Sequence, residues 1–165
     1  MVILGIDPGF AIVGWGVLEC VKGKFRVLGF GSIQTKAGTP IEERLSQIYD
    51  GMNTIIDKYK PDTMAIEELF WNTNQKTGIS VAEARGVILL AAHSKGLKIR
   101  EYTPLQVKQA VVGFGRAEKN QVQQMVKNIL GLSEIPKPDD TADALAIAIC
   151  HAHSGYNLFM KGNIK

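Results

Sequence analysis

The stretch VILGIDPG, residues 2–9, is the clearest indication of fold in this chain of 165 residues. Residues 2–6 form a continuous apolar run, which is typical of a β-strand buried on both faces of a sheet. The run ends at Asp7, and Pro8-Gly9 then predicts a turn, because proline fixes one φ angle and glycine tolerates positive φ. The sequence therefore places an acidic side chain at the carboxyl end of a buried strand.

Two more strands and an alternation of helices and strands follow this first strand. Residues 12–20 and 24–35 predict two strands joined by a short hairpin link. Their glycines, at positions 14, 16, 29 and 31, indicate close backbone approach or a bulge. Hydrophobic spacing then predicts helices over residues 40–59, 79–95, 104–112, 118–130 and 139–153, and strands over residues 63–67 and 98–102. Between them, residues 70–78 predict a polar loop that carries two large aromatic side chains.

This order of elements predicts an α/β fold. Three strands in a meander, followed by alternating helices and strands, form a five-stranded mixed sheet with helices on both faces. No repeat, low-complexity segment or linker divides the chain, so we expect one domain over residues 1–165. A hydrophobic content of 45% excludes a disordered tail, and two cysteines are too few for a disulfide-stapled miniprotein.

Charge, hydropathy and cysteine content indicate the partners and the cellular compartment that we expect for such a domain. The net charge of +3, from 19 basic and 16 acidic residues, is only a hint of a polyanionic partner. The amino terminus lacks the basic segment of a signal peptide, and the longest apolar run, residues 87–92, is far shorter than the ~20 residues of a membrane span. Cys20 and Cys150 match no Cys-x-x-Cys motif. We expect a cytoplasmic protein with reduced thiols and no membrane partner.

Four acidic residues from three distant segments are candidates for chemistry. Asp7 and Glu67 end two predicted strands, and sites in open α/β sheets form just outside the carboxyl ends of the strands. Asp140 and Asp143 are three residues apart, so they share one face in the first turn of the last helix. Converged carboxylates repel one another, and Mg²⁺, which binds a few carboxylates plus water and phosphate oxygens, relieves that repulsion. We expect two Mg²⁺ ions per active site in the catalytic complex, with Mn²⁺ able to substitute.

Each acid also has a purely structural interpretation. Asp7 fits a turn before Pro-Gly, Glu67 fits a surface acid at a strand end, and Asp140 fits a helix N-cap. Asp143 is harder to explain in this way, because the residues that follow it, 144–147, are all apolar. The combination of two strand ends and one helix start favours a metal site over coincidence.

Six blocks of the sequence resemble the RuvC-type Holliday-junction resolvases. The first is GIDPG at residues 5–9 with GWGV at residues 14–17, and the others are AIEELF at 65–70, ARG at 84–86, QVKQAVVG at 106–113, AEKNQV at 117–122 and DTADALAIA at 140–148. They occur in the family's order and extend over residues 1–153. The first block alone is weak, whereas six blocks in order are specific.

This resemblance implies an RNase H-like fold and a homodimer. It implies an endonuclease that resolves four-way DNA junctions by paired symmetric nicks, in homologous recombination and DNA repair. Water would hydrolyse the phosphodiester with Mg²⁺, leaving 5′-phosphate and 3′-hydroxyl ends, and a branch-migration motor would be a partner. By position, Asp7, Glu67, Asp140 and Asp143 match the family's acidic site, although some relatives have histidine in place of Asp140.

The resemblance also implies contacts with DNA. Lys108 and Lys119 match basic residues near the DNA and the scissile phosphate, so Lys119 joins the catalytic set. They lie in a segment, residues 95–127, with seven basic and two acidic residues, which is otherwise explained as a solvated face. Phe70 matches an aromatic residue that stacks on unpaired bases. Within the same predicted loop, Asn74, Gln75 and Lys76 are candidates for contacts with phosphates or base edges, although its aromatics could instead pack into the core or a dimer interface.

Three other functions compete with this interpretation. An actin-like ATPase or sugar kinase also opens with a glycine-rich acidic hairpin, but it needs two such domains, and 165 residues are too few. A non-catalytic junction-binding protein would leave the four acids without a purpose. The third is a nuclease of the same fold that acts on RNA–DNA hybrids. Composition does not distinguish it from a junction nuclease, and only the later sequence blocks favour junctions.

Overall fold

The computed structural model describes residues 1–69 and 75–162, and the side chains of residues 75–77 and 155–162 lie outside that description. Five β-strands and five α-helices are present in the described part. The strands are β1 (Val2–Asp7), β2 (Ile12–Val21), β3 (Lys24–Gln34), β4 (Thr63–Glu67) and β5 (Lys98–Tyr102). The helices are α1 (Ile41–Tyr59), α2 (Gln75–Ser94), α3 (Pro104–Val112), α4 (Lys119–Leu130) and α5 (Asp139–Gly162).

The strands form one mixed sheet in the order β3-β2-β1-β4-β5. β1, β2 and β3 pair antiparallel as a meander, whereas β4 runs parallel to both β1 and β5. β1 is therefore the central strand, and its residues Ile3, Leu4 and Ile6 are fully buried. The prediction of a five-stranded mixed sheet around a buried first strand is confirmed.

Alternation along β1 divides the hydrophobic core between the two faces of the sheet. Leu4 and Ile6 pack with α1 and α2 on one face. Ile3 packs with α3, α4 and α5 on the other face, which we call the α5 face. Each side chain buried in this way stabilises the fold by about 1.5–3 kcal/mol. Helices cover both faces, as the sequence predicts.

Two helices extend beyond their predicted bounds. α2 begins at Gln75, so the predicted loop over residues 70–78 is wrong for its last four residues. α5 continues to Gly162, nine residues beyond the predicted end at residue 153. The added turn of α2, residues 75–78, contains no apolar side chain and so gives no hydrophobic periodicity. No helix within residues 1–69 and 75–162 is long and apolar enough to cross a membrane.

Candidate active site

Asp7 and Glu67 stand side by side at the carboxyl edge of the sheet. β1 and β4 are parallel neighbours in which Ile6 pairs with Ile66, so the next residue of each strand is an acid. Because side chains alternate between the faces of a strand and Ile6 and Ile66 point to the α1/α2 side, both acids lie on the α5 face. The register of two adjacent strands thus creates the first pair of carboxylates.

Glycines bring the first turn of α5 against this pair. Gly14 is the partner of Asp7 in the β1–β2 ladder, and a side chain at Gly14 would collide with the backbone carbonyl of Asp140. A side chain at Gly5 would likewise collide with the carbonyl of Ala144, one turn further along α5. The predicted close approach at Gly14 is therefore present. It sets Asp140 beside the strand that carries Asp7.

Burial and mutual repulsion both raise the pKa values of the acids. Burial raises the pKa of Asp7 to about 8, with further contributions from the charges of Glu67, Asp143 and Asp140. Burial and the charge of Asp143 also raise the pKa of Glu67. Burial raises the pKa of Asp143 as well, although Lys119 opposes that rise. Without a cation, then, Asp7, Glu67 and Asp143 keep their protons to higher pH than ordinary surface carboxylates do.

Lys119 lies directly against the acids. Its Nζ is 3.1 Å from Asp143 Oδ2 and 3.7 Å from Asp139 Oδ2. Burial disfavours its charged form, but the hydrogen bond to Asp143 and the nearby carboxylate charges raise its pKa overall. Lys119 is the first residue of α4, which a reciprocal capping box between Glu118 and Gln121 holds in place.

Lys108 reaches the same place from α3. That helix starts with a capping box between Thr103 and Gln106, and Pro104 occupies its first turn. A cavity of 220 Å³, which we call the acid cleft, is lined by the side chains of both lysines and two acids. Its lining residues are Glu67, Pro104, Val107, Lys108, Lys119, Val122, Asp143, Ala146 and Ile147. Both lysines and two of the four predicted acids, Glu67 and Asp143, therefore share one opening.

The acid cluster suits a divalent cation by its chemistry, though not by ready-made geometry. Among the described residues, no group of three histidine, cysteine, aspartate or glutamate side chains is already arranged to hold a metal ion. The raised pKa of Asp7, caused by burial and then by three neighbouring carboxylates, shows an excess of negative charge that a cation would neutralise. Carboxylate oxygens with room for phosphate and water are the donors that Mg²⁺ prefers. The donor types present fit such an ion.

The aromatic loop lies largely outside the description. Phe70 and Asn74 are outside the described residues. Gln75 and Lys76 belong to the first turn of α2, but their side chains are also outside the description. The DNA contacts expected of these four residues stay predictions.

Three side chains outside the candidate site have structural surroundings. Arg85 forms an internal ion pair with Glu101, 2.6 Å between Nη2 and Oε2. His151 has a structural partner, since its Nδ1 is 2.8 Å from the Tyr102 hydroxyl. Cys150 is buried, and burial raises the pKa of its thiol to about 11, so it stays protonated.

Sequence reasoning missed two residues of interest. The position of Asp139 at the start of α5 is typical of a helix cap, but its side chain forms an ion pair with Lys137 at 2.8 Å and a longer one with Lys119. Arg44 reads as an ordinary helix arginine, yet it is buried. Its position four residues before the buried Ile48 places it on the apolar stripe of α1, and that spacing was the available signal.

Comparisons with known proteins give a consistent family. The family model described as "Crossover junction endodeoxyribonuclease RuvC" matches residues 3–151. The crossover junction endodeoxyribonuclease RuvC of Halothermothrix orenii is 59% identical over 165 residues, covering 100% of this chain and 99% of that protein. The structure of Thermus thermophilus RuvC superposes with a TM-score of 0.87 at 38% identity, covering 95% of this chain and 96% of that one. A second structure, T. thermophilus RuvC in complex with Holliday junction substrate, also gives a TM-score of 0.87, at 35% identity and the same coverage.

Proposed function

The chain belongs to the RuvC family of crossover junction endodeoxyribonucleases, and we propose on that basis that it resolves four-way DNA junctions. It cuts two strands at symmetric positions by phosphodiester hydrolysis, in homologous recombination and DNA repair. Its RNase H-like sheet carries the site at the carboxyl edge of β1 and β4. The observation that carries the proposal is the meeting of acids from β1, β4 and α5 with Lys119, in a chain that matches the family model over residues 3–151.

The family's nucleases depend on divalent metal ions, and for this chain we propose two Mg²⁺ ions, for which Mn²⁺ can substitute. Asp7, Glu67, Asp140 and Asp143 would hold them. When bound, the ions supply an activated water and stabilise the oxygen that leaves. The P–O3′ bond breaks while the water oxygen bonds to phosphorus, so the products are a 5′-phosphate and a 3′-hydroxyl.

The two lysines of the acid cleft take separate roles in this proposal. Lys119, hydrogen-bonded to Asp143, places a positive charge where the scissile phosphate enters, and it stabilises the charge that develops on the phosphate oxygens. Lys108, on the α3 side of the cleft, contacts a backbone phosphate. Such contacts make junction binding weaken as salt rises.

The segment after β4 supplies the contacts that are specific to junctions. β4 ends at Glu67, and Phe70 follows this proposed catalytic acid by three residues in the sequence. We propose that Phe70 stacks on an unpaired base, which is worth about 1–3 kcal/mol for such contacts. Asn74, Gln75 and Lys76 then contact neighbouring phosphates or base edges.

A second copy of the chain is the proposed partner in the assembly. On α2, the side chains of Ile79 and Leu90 are 60% and 57% exposed. They are eleven residues apart, which is about three helical turns, so they lie on one face of α2, and Gly86 lies on the same face. A Cβ added at Gly86 would meet no atom within 4 Å, so this face is open. This exposed apolar stripe supports a homodimer of single domains, each spanning residues 1–165. The motor that drives branch migration is a further proposed partner.

Cleavage of defined substrates tests the proposed function. A synthetic four-way junction, a linear duplex and an RNA–DNA hybrid are each incubated with Mg²⁺ or with EDTA. We expect paired nicks in the junction with Mg²⁺ alone and far slower cutting of the duplex and the hybrid. Preferential cutting of the hybrid would instead make this chain a hybrid nuclease, and binding without cutting in Mg²⁺ would remove the catalytic role of the acids.

A further inference from the structure

A second cavity borders Asp140 and shares no lining residue with the acid cleft. Its volume is 510 Å³, and it is walled by the turn between β1 and β2, by Arg44 of α1, by Ser80 of α2 and by Asp140 of α5. Asp143, one turn further along α5, lines the acid cleft instead. The first turn of α5 therefore separates two openings, which carry Lys108 and Lys119 on one side and Arg44 on the other.

Arg44 is held rigidly at this second cavity. Its residue is only 9% exposed. Its Nε donates to Thr35 Oγ1 at 2.8 Å, and its Nη2 donates to the Phe10 carbonyl at 3.4 Å. The guanidinium also stacks over the Phe10 ring, 3.7 Å from the ring centre. Its fork is therefore fixed in direction while part of it still faces the cavity.

Arg44 has no carboxylate partner in the part of the chain that the structure describes. None of the ion pairs formed by the described side chains includes it. The segments whose side chains are not described, 70–77 and 155–165, contain no aspartate or glutamate. Among the described residues this buried cation meets a hydroxyl, a carbonyl and an aromatic ring, so it has given up solvation without gaining a counter-charge there. The cavity therefore presents an arginine that an incoming anion would complete.

We propose that this cavity receives a backbone phosphodiester of the DNA strand, next to the phosphate that is cut, with Arg44 and Ser80 as its protein partners. The inference rests on the proposed function. Arginine presents a planar fork of donors that matches two phosphate oxygens, so a fixed guanidinium recognises a phosphate with little further loss of entropy. Because the cavity adjoins Asp140, the phosphate bound here would set the register of the strand across the acids.

The shape of the surroundings favours a phosphate in a nucleic-acid strand over a free phosphate ion. The cavity volume of 510 Å³ is much larger than the ~30 Å³ share of one water molecule, so a phosphate with its flanking sugars has room. The neighbouring cleft already holds two lysines for the same strand. One strand can then contact cationic side chains on both sides of the acids.

Salt dependence and neutral phosphates test the proposal together. Junction affinity is measured in EDTA, where no cutting occurs, for the wild type and Arg44→Gln. We expect a loss of about 3–10-fold near 100 mM salt and a slope of log K against log [salt] that is shallower by ~0.7–0.9, the loss of one phosphate contact. A set of junctions, each with one methylphosphonate near the cleavage site, then locates the contact. At one position the neutral linkage should weaken the wild type and leave Arg44→Gln unaffected.

The controls separate a binding role from a structural one. Lys58→Gln removes the same charge from the far end of α1, where Lys58 is exposed, and should keep the wild-type methylphosphonate pattern. Ser80 lines the cavity, and Ser80→Ala leaves the contacts of Arg44 with Thr35 and Phe10 in place, so this variant keeps the proposal testable if Arg44→Gln fails to fold. It should weaken junction binding about 2-fold, and the methylphosphonate that removes the Arg44 contact should remove this effect as well.

Two results together would overturn the proposal and leave Arg44 as an anchor of the turn. They are salt slopes equal to that of the wild type in both cavity variants, and methylphosphonate effects that simply add to those of the substitutions. A rise in wild-type melting temperature with inorganic phosphate that Arg44→Gln abolishes, without any linkage effect, would assign the cavity to a free anion and overturn the DNA contact. Failure of the wild type to bind junctions would instead remove the proposed function itself.

Discussion

Ile6 and Asp7 are consecutive residues of the same strand, and they have opposite effects on the fold. Ile6 is fully buried among the apolar side chains of α1 and α2 and stabilises the protein. Asp7 points to the α5 face, where burial and then the charges of Glu67, Asp143 and Asp140 raise its pKa to about 8, so its ionised form destabilises the metal-free protein. The contrast shows that the alternation of side chains lets one strand contribute to the hydrophobic core on one face of the sheet and to a cluster of repelling carboxylates on the other.

Asp7→Asn should have the largest effect on function and separates the two faces most clearly. The change removes a proposed metal ligand while keeping the shape of the side chain. We expect junction cleavage to fall by at least 10³-fold, since metal-assisted catalysis is worth several kcal/mol. The cleavage rate is measured on a four-way junction with Mg²⁺, beside junction binding, which should stay within a few-fold of the wild type. Cutting within 10-fold of the wild-type rate would show that Asp7 is not part of the site.

Ile6→Ala should have the next largest effect, and on stability. Truncating a fully buried isoleucine costs about 2–5 kcal/mol, because apolar burial is lost and a cavity remains. Urea denaturation measures the free energy of unfolding, and Ile41→Ala, at a position that is 41% exposed, is the matched control with an expected change below about 0.5 kcal/mol. Equal losses in the two variants would mean that the α1/α2 side of β1 is not the stabilising face.

Lys119→Ala should follow, because Lys119 is the cation that offsets part of the repulsion on the α5 face. Its Nζ lies 3.1 Å from Asp143 Oδ2, where a scissile phosphate would enter. We expect cleavage to slow by about 10²-fold, in line with the loss of one group that stabilises developing charge. Single-turnover cleavage is compared with that of Lys127→Ala, at the other end of α4, which should cut at the wild-type rate. Equal rates for the two variants would assign Lys119 a purely structural role.

The smallest of these effects is the pH dependence of stability without metal. Since the pKa of Asp7 is raised from 3.8 to about 8 in the folded protein, its contribution is fully present below about pH 4 and is lost as pH rises through 8. Burial and then the charge of Arg100 lower the pKa of His151, so its contribution to stability increases as pH rises towards neutral. This contribution is the same in the wild type and Asp7→Asn, so it cancels in the comparison. In EDTA, the wild type should therefore lose at least about 1 kcal/mol relative to Asp7→Asn between pH 5 and pH 8.5. Parallel curves of unfolding free energy for the two proteins would contradict this.

Much of this arrangement could be predicted from the sequence, for identifiable reasons. Local patterns locate Asp7 and Glu67 at strand ends and Asp140 with Asp143 on one helix face, and the glycine at position 14 signals the close approach that places α5. The spacing of Arg44 four residues before Ile48 indicates that it is buried, but its contacts with Phe10 and Thr35 could not be predicted, because those residues are distant in sequence. The early start of α2 escaped notice because its first turn has no apolar period. Contacts made by tertiary packing leave no signature in a local window.

Thermal unfolding of the wild type and Asp7→Asn at pH 8, with EDTA and with Mg²⁺, tests whether the carboxylates on the α5 face repel one another and bind a cation. Without metal, Asp7→Asn should melt higher than the wild type by roughly 2–4 °C for each kcal/mol of relieved charge. With Mg²⁺, the wild type should gain stability and the variant should gain little, so that the difference shrinks or reverses. A variant that melts lower than the wild type in EDTA, together with equal shifts of both proteins in Mg²⁺, would contradict the proposed metal site.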